Sequence, residues 1–125
     1  MLENAGVFKT VKLIALNNGY TENQIEIALK YIDKSNLSIK LKNDSLYDVV
    51  NEQTGEYLDE SISLEMVIER GFDCLRNDIE KYLRDNSSVD MNLVNNLLFE
   101  LNSMFENSQY TIKELDGVKY LSLNI

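Results

Sequence analysis

The sequence predicts an α+β fold: one domain spanning residues 1–125, with helices packed on small antiparallel hairpins in the order α-α-β-β-β-α-α-β-β. Three observations predict it. Two stretches with apolar residues at helical spacing open the chain, a period-two run follows at residues 37–42, and a second pair of helical stretches ends in an Asp-Gly hairpin signal. At 125 residues the chain lies near the commonest domain size and buries roughly two thirds of its unfolded surface. Proline is absent and only five glycines occur, so no linker declares itself. The recurrence of helix, helix, hairpin also raises a weak internal duplication, about residues 1–60 and 61–125, although residue identity between the halves is poor.

Residues 3–17 read as the first helix, with Val7, Phe8, Val11, Ile14 and Ala15 on one face and Asn17-Asn18-Gly19 as the stop. Thr21-Glu22-Asn23-Gln24 fits a capping box for the second, whose stripe is Ile25, Ala28, Leu29 and Ile32. Leu37 to Lys42 alternates as a strand with one buried face. Asn43-Asp44 turns the chain into a strand from Leu46 to Asn51, and Glu52-Gln53-Thr54-Gly55 reverses it into Glu56-Tyr57-Leu58. Ser63 caps a long helix to about Arg84, with Leu64, Ile68, Phe72, Leu75, Ile79, Tyr82 and Leu83 inward. Asp90 begins another, with Val94, Leu97, Leu98, Leu101, Met104 and Phe105 on one side. Around Leu115-Asp116-Gly117-Val118 a two-residue hairpin sets Ile112 opposite Leu121 and Tyr110 opposite Leu123.

Charge is distributed unevenly. Of the net −9, residues 44–106 contribute −11, with fifteen acids against Arg70, Arg76, Lys81 and Arg84. From Asp44 to Glu69 eight carboxylates follow one another without a single Lys, Arg or His. Glu65, Glu69 and Asp73 recur every fourth residue, an acidic ridge along the first turns of the long helix. So one-signed a segment repels itself, and a partner or solvent must compensate.

The chemical inventory is short. Histidine is absent, which removes the commonest general base, the Ser-His and Cys-His pairs and nearly all transition-metal sites. One cysteine without histidine cannot make a zinc site. No Gly-rich phosphate loop occurs, and no lysine has an acid two residues before it, as carboxylate-dependent nucleases usually require. Cys74 falls on or near the buried stripe of the long helix and reads as a core thiol. No catalytic residue, cofactor or metal ligand is expected. A winged-helix DNA reader fits the order of elements, but its recognition helix would carry Asp90, Glu100 and Glu106 with no base.

The lone cysteine, the absence of a signal-peptide pattern and apolar runs of only about four residues point to the cytosol rather than to secretion or a membrane. Abundant Asn, missing His, Pro and Trp, and dominant Leu, Ile and Lys suggest an AT-rich bacterial or phage genome. In kind, not in motif, the chain resembles small acidic accessory proteins of phages and mobile elements, among them inhibitors that mimic DNA charge and anti-CRISPR proteins. The expected function is therefore non-enzymatic: an acidic surface that occupies a basic, nucleic-acid-binding site on another protein, without binding nucleic acid or membrane itself. The residues expected to meet that partner are Asp44, Tyr47, Asp48, Glu52, Glu56, Tyr57, Asp59, Glu60, Glu65, Glu69 and Asp73, with the tyrosines as apolar anchors and Asp48, Glu52, Glu56, Asp59 and Glu60 as phosphate mimics. The alternative is a structural or regulatory module in which residues 63–84 and 90–106 form a homodimer or hetero-oligomer.

Overall fold

The structure, a computed structural model, describes residues 2–43, 45–85, 88–104 and 109–124. Its elements are α1 (Leu2–Asn17), α2 (Glu22–Lys34), β1 (Leu37–Leu41), β2 (Tyr47–Asn51), β3 (Tyr57–Ile62), α3 (Leu64–Asp85), α4 (Met91–Asn102), β4 (Gln109–Leu115) and β5 (Val118–Asn124). The fold is α+β in the expected order, with a three-stranded antiparallel sheet β1-β2-β3 and a two-stranded sheet β4-β5. The chain divides into two compact units, Met1–Cys74 and Leu75–Ile125, with α3 running through the boundary.

In the first unit α1 and α2 pack on each other and on β1. Local chemistry sets the ends of these elements. Gly19, at φ +92, lies just beyond α1. The Thr21 hydroxyl accepts from the Gln24 N–H at 3.1 Å while the Gln24 side chain accepts from the Thr21 N–H at 3.0 Å, closing the capping box. Lys12 of α1 reaches Glu26 at 2.9 Å and Glu22 at 3.1 Å on α2. The hydrogen bond to Lys12 holds the Glu26 carboxyl below its ordinary value. The α2 stripe is wider than its spacing predicts, since Ile27 and Tyr31 are buried along with Ile25, Ala28, Leu29 and Ile32. Gly71 explains how α3 approaches: a Cβ at Gly71 would lie 2.5 Å from both Cα and O of Ala28, so only glycine allows this backbone-to-backbone contact.

The sheet core is Leu37, Ile39, Tyr47, Val49 and Ile62, which share one face through the register Ile39↔Val49 and Tyr47↔Ile62. The turn from β1 is an Asx turn, with Asn43 Oδ1 accepting from the N–H groups of Ser45 and Leu46 at 3.0 and 3.1 Å. The reversal before β3 repeats the device, with Asn51 Oδ1 accepting from Gln53 and Thr54, and Gly55 at φ +76. β3 departs from the sequence expectation. It runs on to Ile62 and pairs irregularly, Tyr47↔Ile62, Val49↔Asp59 and Val50↔Tyr57, so it carries more residues than the β2 segment it faces.

In the second unit α3 ends, α4 follows, and β4-β5 closes the chain. α4 starts at an N-cap, with Asp90 Oδ1 accepting from Asn92 N–H at 3.0 Å. Its buried residues include Val94 and Leu101, and Leu97 and Leu98 are half-buried. Met104 is also buried, whereas Phe105 lies outside the described residues. The hairpin register is the expected one, Ile112↔Leu121 and Tyr110↔Leu123. Asn102 ties α4 to β4, donating to Tyr110 O at 2.9 Å and accepting from its N–H at 2.6 Å. Arg76 donates to the Tyr110 hydroxyl at 2.9 Å. Cys74, the last residue of the first unit, is buried.

Candidate functional site

The acidic segment from the β1-β2 turn to α3 is not uniformly free in three dimensions. Of its acids, Asp44 lies outside the described residues. Asp48 is engaged with backbone: its Oδ1 accepts from the Ser61 N–H at 2.8 Å. Ser61 sits at φ +53 where β3 bends against β2, so Asp48 satisfies a donor that the irregular ladder leaves over. Asp59 faces the core side of the sheet opposite Val49 and receives both Nε and Nη2 of Arg70, at 2.7 and 2.9 Å. The two side chains are 18% and 30% exposed, so this fork is partly withdrawn from water. The hydrogen bond to Asp59 raises the Arg70 guanidinium above its ordinary value.

The pairing irregularity decides which acids turn outward. Strict alternation from Ile62 would carry Glu60 and Leu58 onto the core face. The surplus residues in β3 give that place to Asp59, and Glu60 and Leu58 are exposed. Periodicity alone could not locate this shift, because the β3 sequence Tyr57-Leu58-Asp59-Glu60-Ser61-Ile62 has no clean alternation to violate.

Tyr47 corrects the sequence expectation. It was expected as a surface anchor, yet it is 1% exposed and belongs to the sheet core, where burial raises its phenol above the ordinary value. The reason is register: Tyr47 stands opposite Leu41 and Ile62 on the apolar face. Asp48 and Asp59 also depart from their expected role, since both carboxylates are occupied within the fold. Tyr57 is 44% exposed, with Lys40 Nζ of β1 5.5 Å from its ring centroid. A second lysine of the same edge, Lys42, donates to Ser61 Oγ at 2.6 Å. The fold thus brings Lys40, Lys42 and Arg70 to an acidic stretch that contains no base of its own.

Glu56, Glu60, Glu65 and Glu69 remain exposed, whereas Glu52 and Asp73 are half-buried. In the same segment of the chain Tyr57, Leu58 and Met66 are each between 44% and 49% exposed. Tyr20, in the α1-α2 connection, was not among the expected residues, but it reports the ridge: burial first, then the charges of Glu65 and Glu69, raise its phenol above the ordinary value. Only its position in space, not its neighbours in the chain, could identify it.

Among the described residues no cluster of three or more His, Cys, Asp or Glu side chains could hold a metal ion. Among the described residues of the second unit are an open cleft of about 230 Å³ lined by Glu80, Leu83, Arg84, Lys119, Tyr120 and Leu121, and another of about 300 Å³ lined by Asp78, Lys81, Tyr82 and Asp85. Both lie at or below the small end of ligand pockets. The two cations of the first are held by carboxylates, Arg84 by Asp85 at 3.2 Å and Lys119 by Glu114 at 3.4 Å. Among the described residues no helix is long and apolar enough to cross a membrane. Comparison with protein-family models, with curated proteins and with solved structures finds no match to this chain.

Proposed function

We propose that this chain is a non-enzymatic binding protein whose acidic surface on β3 and the first turns of α3 occupies a basic, nucleic-acid-binding surface of another protein, in the manner of a DNA-charge mimic. One observation carries the proposal: within residues 56–69 four carboxylates, Glu56, Glu60, Glu65 and Glu69, are exposed together with the apolar side chains of Tyr57, Leu58 and Met66. Exposed acids alone would be an ordinary solvated face. Large apolar groups set among them add surface that gains from being covered, while the carboxylates steer a basic partner and fix its register. The interface set differs from the one expected from sequence: Tyr47, Asp48 and Asp59 are engaged within the fold, Glu52 and Asp73 are half-buried, Asp44 lies outside the described residues, and Leu58 and Met66 join. A role without catalysis fits a chain without histidine.

The experiment is capture of partners by the tagged chain, followed by binding of the captured protein to wild type and to the variant with Glu56, Glu60, Glu65 and Glu69 all changed to Lys. The expected results are loss of binding in the variant, an affinity that falls steeply with salt in the wild type, and displacement of the partner by duplex DNA. Unchanged affinity and salt slope in the variant would refute the proposal.

A further inference from the structure

We propose that the outer edge of β5 docks an extended, carboxylate-bearing segment of another protein, which joins the β4-β5 sheet as a third strand in the cleft beside α3. The inference does not rest on the acidic surface, because it uses different residues in the second unit. Strand geometry assigns the edge. Across the two-residue turn Leu115 and Val118 form the closing hydrogen-bonded pair, and bonded and non-bonded pairs alternate from there. Tyr120 and Ser122 therefore bond to β4, while the main-chain N–H and C=O of Lys119 and Leu121 point away from it. The same count turns the Tyr110 main chain outward on β4, and there the Asn102 amide takes both groups, donating at 2.9 Å and accepting at 2.6 Å, as a neighbouring strand would. β5 has no such cover. Among the described residues nothing takes the outward main-chain groups of Lys119 and Leu121.

An open row of strand donors and acceptors names its occupant, an extended backbone with the matching spacing. A two-stranded sheet is marginal alone and gains from a third strand. Room for one exists in the cleft of about 230 Å³ lined by Lys119, Tyr120 and Leu121 of β5 and by Glu80, Leu83 and Arg84 of α3. Successive strand residues point to opposite faces, so three in a row line one cleft where it reaches the edge of the strand. The cleft is smaller than ordinary small-molecule pockets but suits the side chains of a single strand. Charge selects among strands. Two of the three charged side chains lining the cleft are cations, in a chain of 12 basic and 21 acidic residues. Asp85 and Glu114 hold them at 3.2 and 3.4 Å, but both carboxylates are at least half exposed, and a ligand carboxylate displaces surface pairs of that kind easily. A second copy fits less well: Lys119 on the edge guards against pairing with another such edge, and bodies of −9 repel.

The test selects binders to the full chain from displayed random heptapeptides and follows amide hydrogen exchange of the isotope-labelled chain by NMR. In the free chain, exchange is expected to be faster at Lys119 and Leu121 than at Tyr120 and Ser122, which bond to β4. Selected peptides are expected to be rich in β-branched residues and to carry Asp or Glu. At roughly ten times Kd they slow exchange at Lys119 and Leu121 about tenfold, because only the free fraction exchanges. N-methylation of one alternate set of peptide residues abolishes binding, and methylation of the other set does not. Lys119→Glu, shown by circular dichroism to be folded, weakens binding. A library that yields no binder, or only peptides that leave exchange at Lys119 and Leu121 unchanged, would overturn the inference. So would equal binding of both N-methylated forms, or a dimer of the chain alone that protects the same two amides.

Discussion

Replacing Gly71 with alanine is expected to destabilise the first unit, although in an unencumbered helix the same change stabilises. Gly71 lies inside α3, where alanine in place of glycine is worth about 1 kcal/mol of helix propensity. Against this, the new methyl group would sit 2.5 Å from Ala28 Cα and O and 2.7 Å from its carbonyl carbon. All three are main-chain atoms of α2, so no side chain rotates out of the way and the helices must separate by roughly 1 Å. Overpacking of this kind costs about 1–3 kcal/mol, with rigid backbone at the upper end. The net expectation is a loss of about 2 kcal/mol. Gly6 is the internal control, because it lies in α1 with nothing within 4 Å of a Cβ, and Gly6→Ala is expected to gain up to about 1 kcal/mol. Both glycines belong to the first unit, so urea unfolding followed by far-UV circular dichroism compares them directly. A Gly71→Ala protein as stable as wild type would refute the close helix contact. Rescue by a second change, Ala28→Gly, would equally refute it, because the atoms in the way are backbone and persist in glycine.

Three further outcomes follow from the acidic segment. The Tyr20 phenol is raised in the folded state, so it supports stability below the ordinary tyrosine pKa of about 10 and that support is lost as pH rises through its folded value; in Glu65→Gln/Glu69→Gln its ionisation, followed by ultraviolet difference absorbance, is expected at lower pH than in wild type. For Asp59 and Arg70, a double-mutant cycle with Asp59→Asn and Arg70→Met is expected to give a coupling of about 1 kcal/mol, between the exposed and buried limits because the pair is only partly exposed, and zero coupling would mean the fork does not persist in solution. Asp48→Ala removes the acceptor for the Ser61 N–H and is expected to cost about 1–2 kcal/mol, with faster hydrogen exchange at Ser61, whereas unchanged exchange would show that the bond is not formed.

Much of the fold is legible along the chain because its determinants lie within a few residues of each other. The Thr21-Gln24 capping box, the Asp90 cap, the Gly19 stop and the Asp116-Gly117 turn each act over four residues or fewer, and the hairpin turn fixes the whole β4-β5 register. Packing is less legible. Tyr31 and Ile27 widen the buried face of α2 beyond its predicted stripe, and Gly71 is needed only because Ala28 lies opposite it.

By itself the sequence determined the element order, the caps and turns, the absence of histidine chemistry and the concentration of acid between residues 44 and 73. Only the tertiary structure decided which of those acids face solvent. Surplus residues in β3 turned Asp59 toward Arg70 and Glu60 outward, Ser61 took up Asp48, and sheet register moved Tyr47 into the core while bringing Lys40 to Tyr57. The reason is that charge is additive along a chain, but the availability of a carboxylate depends on pairings formed across 11 or 13 residues, through a strand register that one extra residue inverts.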